Sequence, residues 1–215
     1  DAVVGAADLD ALLRAAVAGS FNRISVDGDT STNDSLLLLA NGAAEIGLVG
    51  ESDRAAFAAG LLAVCRRLAL AIVRDGEGAR RLAAIEVSGA ANGAEALAAA
   101  RTIATSPLVK TALAGGDPNW GRILAAAARS GARLDAGGVS LSIAAGDGDG
   151  GAGGDWLALV TGGVAAPFAE EEAAAILGGA DVAIRLDLGV GTARETVWTC
   201  DLTTDYVAIN ADYTT

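Results

Sequence analysis

Phe21-Asn22-Arg23-Ile24-Ser25-Val26-Asp27-Gly28-Asp29-Thr30-Ser31-Thr32-Asn33-Asp34-Ser35-Leu36-Leu37-Leu38-Leu39 crowds hydroxyl, amide and carboxylate groups between two apolar stretches. Ile24 and Val26 alternate with polar neighbours as a strand does, and Leu36 to Leu39 form an apolar run too short for a helix, closed by Asn41-Gly42. The segment therefore reads as strand, polar loop, strand, and so many polar groups in one loop suit a pocket wall better than a core. Upstream, Leu9, Leu12, Leu13 and Val17 share one helical face over residues 7–18, with Gly19 as the stop. Downstream, Ser52 before Asp53 gives an N-cap signal, and Phe57, Leu61, Val64, Leu68 and Ile72 form a long helical stripe.

The remaining chain continues this mixture. Ile85 and Val87 read as a strand, residues 94–105 and 120–128 as helices, and 139–143 and 156–160 as strands. Residues 167–177 predict an acidic helix, and 182–188, 195–201 and 206–209 predict further strands. Gly146 to Asp155 is the one low-complexity stretch, and glycine at that density predicts a flexible hairpin tip. Helices interleaved with alternating strands argue for a layered α/β (α+β) architecture, a sandwich of mixed sheets with flanking helices.

Composition narrows the function. The 215 residues are 52% hydrophobic, enough for a sizeable core, but alanine dominates and aromatics are only 4%, so close packing of small side chains is expected. A net charge of −12 argues against a nucleic-acid surface. No apolar run approaches the roughly 20 residues of a membrane span, and a soluble, cytoplasmic protein is expected. Cys65 and Cys200 fit neither a disulfide framework nor a metal-ligand spacing and read as small buried residues. With no histidine, the chain alone cannot assemble a Ser-His-Asp triad or a histidine-ligated metal. The absence of methionine implies that Asp1 is not a translation start.

Asp27, Asp29, Ser31 and Asn33 alternate like the first ligands of an EF-hand, but its sixth and twelfth positions would be Thr32 and Leu38, not Gly and Glu. A tight Asx-type turn and a pocket-shaping loop remain open. Gly146 to Asp155 is a single irregular copy and does not make a calcium-binding repeat. Arg74-Asp75-Gly76-Glu77-Gly78 places a carboxylate between two glycines at a helix end, where it can approach a ligand amine without obstruction or simply be a solvated C-cap. Lys110, the only lysine, reads by itself as a surface charge. Asp117-Pro118-Asn119 reads as a helix-start turn whose Asp or Asn caps the following amides, and Arg122 as a candidate partner for an interior carboxylate.

Together with Asp75-Gly-Glu-Gly78, Ser106-Pro-Leu-Val-Lys-Thr111, Gly116-Asp-Pro-Asn-Trp-Gly-Arg122 and Tyr206-Val-Ala-Ile-Asn-Ala-Asp-Tyr-Thr-Thr215, the polar run resembles the ornithine acetyltransferase (glutamate N-acetyltransferase) family. The resemblance extends from Asp1 to Thr215 and is to the C-terminal, or beta, chain released when a precursor cleaves itself before a threonine. It implies one beta-chain unit over 1–215, paired with an alpha chain of the same precursor in an alpha2-beta2 assembly. It implies substrate-binding roles for Glu77, Asn210 and Thr215, with no metal. Ser106 to Thr111 and Gly116 to Arg122 are implied parts of a pocket wall or its supporting shell.

The implied reaction moves acetyl from N-acetylornithine to glutamate through an acetyl-threonine enzyme, in arginine biosynthesis. The threonine's own α-amine serves as base, so no histidine is needed. No resident cofactor is implied, and acetyl-CoA is a co-substrate in the bifunctional members. That threonine is expected just upstream of Asp1, so no catalytic residue is assigned within 1–215. The alternatives are an autocleaving aminopeptidase or amidase of related fold, and an inactive binding or assembly relative without the nucleophile.

Overall fold

The computed structural model describes residues 1–212, and the chain divides into two compact units. The first comprises Asp1–Ile24 and Asp29–Ala71, and the second Ser25–Gly28 and Ile72 onward. In the first unit, α1 (Ala6–Ala18) stands with most of α2 (Glu51–Arg74). Arg54 on α2 pairs with Asp8 on α1 at 2.8 Å, and Val3 bridges to Gly47.

The leucine run corrects the sequence reading. Residues 36–39 form no strand, and Leu37 and Leu39 are 80% and 88% exposed. Only the short β1 (Ile24–Ser25) appears in this region, because a strand needs a partner edge and none of the described residues offers one to the leucines. α2 begins two residues earlier than the Ser52 cap predicts. The Asp53 carboxylate reaches back to the Val49 N–H at 3.1 Å, so the acid rather than the serine satisfies a free amide there. The long stripe forms as a helix, but Cys65, Ala69, Leu70 and Val73 are its buried residues, while Val64, Leu68 and Ile72 are exposed.

α2 is long and apolar enough to cross a membrane, with a mean hydropathy of 1.9 over its most apolar stretch, contrary to the sequence reading. Arg66 and Arg67 lie at its middle. Each would cost about 2.5–3.5 kcal/mol at a bilayer centre. The exposed stripe therefore suits a protein surface better than lipid.

The second unit has the expected layered α/β architecture, built on one mixed sheet. Its strands are β2 (Leu82–Ala90), β3 (Ser140–Ala145), β4 (Leu157–Thr161), β5 (Val164–Ala165), β6 (Asp181–Asp187) and β7 (Ala193–Cys200). The order is β1-β7-β2-β6-β3-β4-β5. β2 runs parallel to β6, pairing Ile85 with Ile184, and antiparallel to β7, pairing Ile85 with Val197. These side chains share one face and enter the core with α3 (Gly93–Ala104), α4 (Pro107–Gly115), α5 (Trp120–Ala128) and α6 (Glu170–Leu177). Ala96, Ala99, Ala100, Ala126 and Ala127 supply the helix side of that core, so the small side chains permit the close approach that composition predicted. Asn92 caps α3 by accepting from the Glu95 N–H at 2.9 Å, and its own amide donates to the Glu95 carboxylate.

One helix had no reading in the sequence pattern, and one reading changes. The stretch 107–115 is a helix, entered through Pro107 and closed by Gly116 in the left-handed region. Residues 206–209, read as a strand, lie within helix α7 (Thr204–Asp212). β-branched residues favour strands only where a sheet can receive them, and α7 follows β7 after a short turn with its acidic Asp205 in the first turn. The glycine-rich stretch 146–155 is a loop organised by Asp147, whose carboxylate accepts from the N–H groups of Asp149 and Gly151. The Trp198 indole donates to Gly150 O at 2.7 Å.

Candidate functional site

After α2 the chain turns through residues 75–81 into β2, and the end of β7 leads into α7 beside that turn. Gly78 has φ +68, and a Cβ there would lie 2.7 Å from the Tyr206 nitrogen and 2.9 Å from the Asp205 Cβ. Only glycine admits both the conformation and so close an approach of α7. Thr203 donates its hydroxyl to Gly78 O at 2.8 Å, and Arg80 pairs with Asp205 at 2.7 Å.

This docking brings together two of the three residues that the resemblance singles out. Asn210 donates from its amide to a Glu77 carboxylate oxygen at 3.0 Å, although the two lie 133 positions apart. The same amide donates to Tyr206 O at 3.0 Å, one helical turn back. Both side chains are exposed. Thr215 lies outside the described residues. The Tyr206 hydroxyl donates to Asp27 at 3.0 Å, so the first carboxylate of the polar run reaches the same helix. An exposed carboxylate beside a primary amide can accept from an ammonium group while the amide meets a neighbouring polar group.

The frame beneath is buried and charged. Asp201 is 3% exposed, and one carboxylate oxygen accepts from the backbone N–H groups of Arg80 and Arg81 at 2.8 and 3.0 Å. Its other oxygen lies 3.6 Å from the Arg81 guanidinium, which itself donates to Leu113 O and Ala114 O at the end of α4.

Lys110 is not the surface charge its sequence suggested. It is 2% exposed, because α4 turns it inward among Val109, Ala112 and Leu113. Its ammonium donates to the Thr199 hydroxyl at 2.9 Å and to Cys200 O, and it lies 3.7 Å from Cys200 Sγ. Burial holds Lys110 below the ordinary lysine value, while Cys200, Asp201 and Asp27 pull the other way. Burial likewise pushes the Cys200 thiol up, against the pull of Lys110. Both cysteines are buried and free.

Other polar candidates settle into structural contacts. Asn119 makes no side-chain bond to α5 and donates instead to Asp117 at 3.3 Å. Arg122 donates to Leu108 O at 3.0 Å and the Thr111 hydroxyl at 3.4 Å, where a carboxylate had been expected. Among the described residues, no group of three or more His, Cys, Asp or Glu side chains is placed to hold a metal ion. A small apolar recess lined by Val109, Leu113, Ile123, Ile143, Leu159 and Ile184 shares no residue with the Glu77–Asn210 pair.

Sequence reasoning missed Asp201 and Thr199 and the burial of Lys110, whose segment only the resemblance had put in a pocket wall or supporting shell. One signal was available: the only lysine of an acidic chain stands inside the apolar pattern Leu108-Val109-Lys110-Thr111-Ala112-Leu113.

The model of the ArgJ family matches residues 1–215. An arginine biosynthesis bifunctional protein ArgJ of Ruegeria pomeroyi is 47% identical over 213 residues, which are 99% of this chain and 49% of that protein. The protein of the same name from Dehalococcoides mccartyi is 47% identical over 217 residues, 100% of this chain and 51% of its own length. The chain thus spans about half the length of the curated relatives it matches. The crystal structure of arginine biosynthesis bifunctional protein argJ from Bacillus halodurans superposes with a TM-score of 0.89 at 42% identity, covering 99% of this chain and 96% of that one. Matched end to end by the family model and at this identity by its named relatives, the chain belongs to the ArgJ family.

Proposed function

We propose that this chain is the beta chain of a cytoplasmic, self-processed acetyltransferase that transfers acetyl from N-acetylornithine to glutamate. The observation that carries the reading is the 3.0 Å pairing of Glu77 with Asn210 on an exposed surface, formed by residues distant in sequence and held by a buried frame. The Glu77 carboxylate receives an ammonium group of the amino-acid substrate, and the Asn210 amide orients the substrate beside it.

The chemistry belongs to a threonine placed before Asp1. Its hydroxyl oxygen attacks the acetyl carbonyl, ornithine leaves with the proton on its nitrogen, and an acetyl ester remains on the enzyme. The glutamate amine then attacks that ester, giving N-acetylglutamate and restoring the hydroxyl. Acetyl-CoA is a further acetyl donor in this scheme. The Bacillus halodurans chain coincides with this one nearly end to end, whereas the curated relatives are about twice as long, which supports a two-chain product. The exposed apolar residues Val64 and Leu68 on α2, with Leu37 and Leu39, supply a surface for the alpha chain, in an alpha2-beta2 assembly.

Intact-mass measurement of the full-length gene product, followed by acetyl exchange between N-acetylornithine and glutamate, tests the proposal. Two fragments, the second starting with threonine, and a ping-pong exchange are expected. Glu77→Gln should lower kcat/KM for N-acetylornithine at least about tenfold, the scale of a lost charge-assisted bond. A single uncut chain, or acetyl release to water without transfer to glutamate, would favour the inactive or the amidase alternative.

A further inference from the structure

Three structural facts converge on the junction between β7 and α7. From one side α4 grips it twice through a single residue: the Lys110 ammonium donates to Cys200 O, and Lys110 O accepts the Leu202 N–H at 3.1 Å. From the other side the turn before β2 grips it through Asp201, which accepts from the Arg80 and Arg81 amides, while Asp201 N donates back to Arg81 O at 3.2 Å. The same turn carries Glu77, and the helix that leaves the junction carries Asn210.

An ammonium has three protons to place. Lys110 finds Thr199 Oγ1, Cys200 O and Cys200 Sγ around it, and the Thr199 hydroxyl passes the chain on by donating to Ala104 O at 3.0 Å. Burying the only lysine of the chain costs desolvation, and a methionine of similar length would fill the same space without that cost. What methionine cannot do is fix the last carbonyl of β7.

We infer that Lys110 is a positioning residue for the substrate site, fixing the end of β7 so that α7 presents Asn210 in register with Glu77. The inference rests on the Glu77–Asn210 subsite proposed above. Lys110 itself touches neither of these residues and acts through the strand end.

The test is a double-mutant cycle in the processed enzyme made from the full-length gene, comparing Lys110→Met, Asn210→Ala and their combination. Lys110→Met should raise KM for N-acetylornithine about tenfold while kcat stays within about twofold, and the KM effect should vanish when Asn210 is already alanine. A lysine that only stabilised the fold would lower the yield of active enzyme and leave KM alone. Thr199→Val, which removes one acceptor at constant shape, gives the same pattern with a smaller KM rise, and it replaces Lys110→Met in the cycle if that variant does not accumulate as folded protein. Strictly additive KM effects, or an unchanged KM, overturn the inference. Failure of the underlying subsite has a separate signature: Glu77→Gln and Asn210→Ala would both leave KM at the wild-type value.

Discussion

Replacing Gly78 with alanine should release α7 rather than unfold the second unit. Alanine at φ +68 costs about 1–2 kcal/mol in backbone strain. A Cβ placed 2.7 Å from the Tyr206 nitrogen and 2.9 Å from the Asp205 Cβ adds about 1–3 kcal/mol of overpacking, since a backbone atom cannot step aside alone. Against this total of about 2–5 kcal/mol stand the contacts that hold α7. The bonds Thr203 to Gly78, Tyr206 to Asp27 and Asn210 to Glu77 contribute about 0.5–1.5 kcal/mol each. The exposed Arg80–Asp205 pair adds about 0–1 kcal/mol. α7 buries none of its residues, so no core is sacrificed when it detaches. The strain and the docking energy are of one size, and detachment is the cheaper relief. Hydrogen exchange of the 204–212 amides should therefore approach that of an unstructured peptide, KM for N-acetylornithine should rise about tenfold, and Tm should fall by only a few degrees. The reasoning is refuted if α7 keeps wild-type protection and KM in the Gly78→Ala enzyme.

Glu95, bonded first of all to the Arg133 side chain and also to its backbone N–H and Asn92, is held at about 2, below its ordinary 4.5. A carboxylate lowered on folding contributes stability that is full above about 4.5 and is lost as pH falls toward about 2. Wild type and Glu95→Gln should thus differ in Tm at pH 7 and converge by pH 2, and a gap independent of pH would refute the assignment. Val64→Asp with Leu68→Asp alters exposed positions, 58% and 50% accessible, so the chain's own stability should change by no more than about 0.5 kcal/mol. Association of the two fragments should fail on size-exclusion chromatography, and intact assembly would remove α2 from the partner surface. Asn210→Ala should raise KM for N-acetylornithine about fivefold to tenfold with little loss of kcat, and an unchanged KM would place the substrate elsewhere.

Periodicity was enough for most of the fold. Leu9, Leu12, Leu13 and Val17 on one face give α1, and 120–128 is a helix with the bounds the pattern predicts. Ile85 and Val87 fall on β2, an interior strand paired on both sides, and both enter the core as their spacing predicts. Glu77 and Asn210 were legible only as motif residues. Spacing alone treats Glu77 as a solvated helix cap and leaves Asn210 just past a supposed strand at 206–209, since 3.6-residue and 2-residue periods are hard to separate in a stretch as short as Val207-Ala208-Ile209.

The tertiary structure decided what depends on partners far along the chain. Whether a lysine is buried depends on acceptors, and those of Lys110 lie about 90 positions away on β7. The exposure of Leu37 and Leu39, and of Val64 and Leu68, is likewise a matter of what packs against them, and hydrophobicity in sequence does not distinguish a core from an exposed apolar surface. Local sequence thus determined most helices and turns through side-chain period and backbone sterics, though not the states of 36–39 and 206–209, whereas the pairing of Glu77 with Asn210 joins residues 133 positions apart and needs the close approach at Gly78, which exists only once α7 has docked beside the turn before β2.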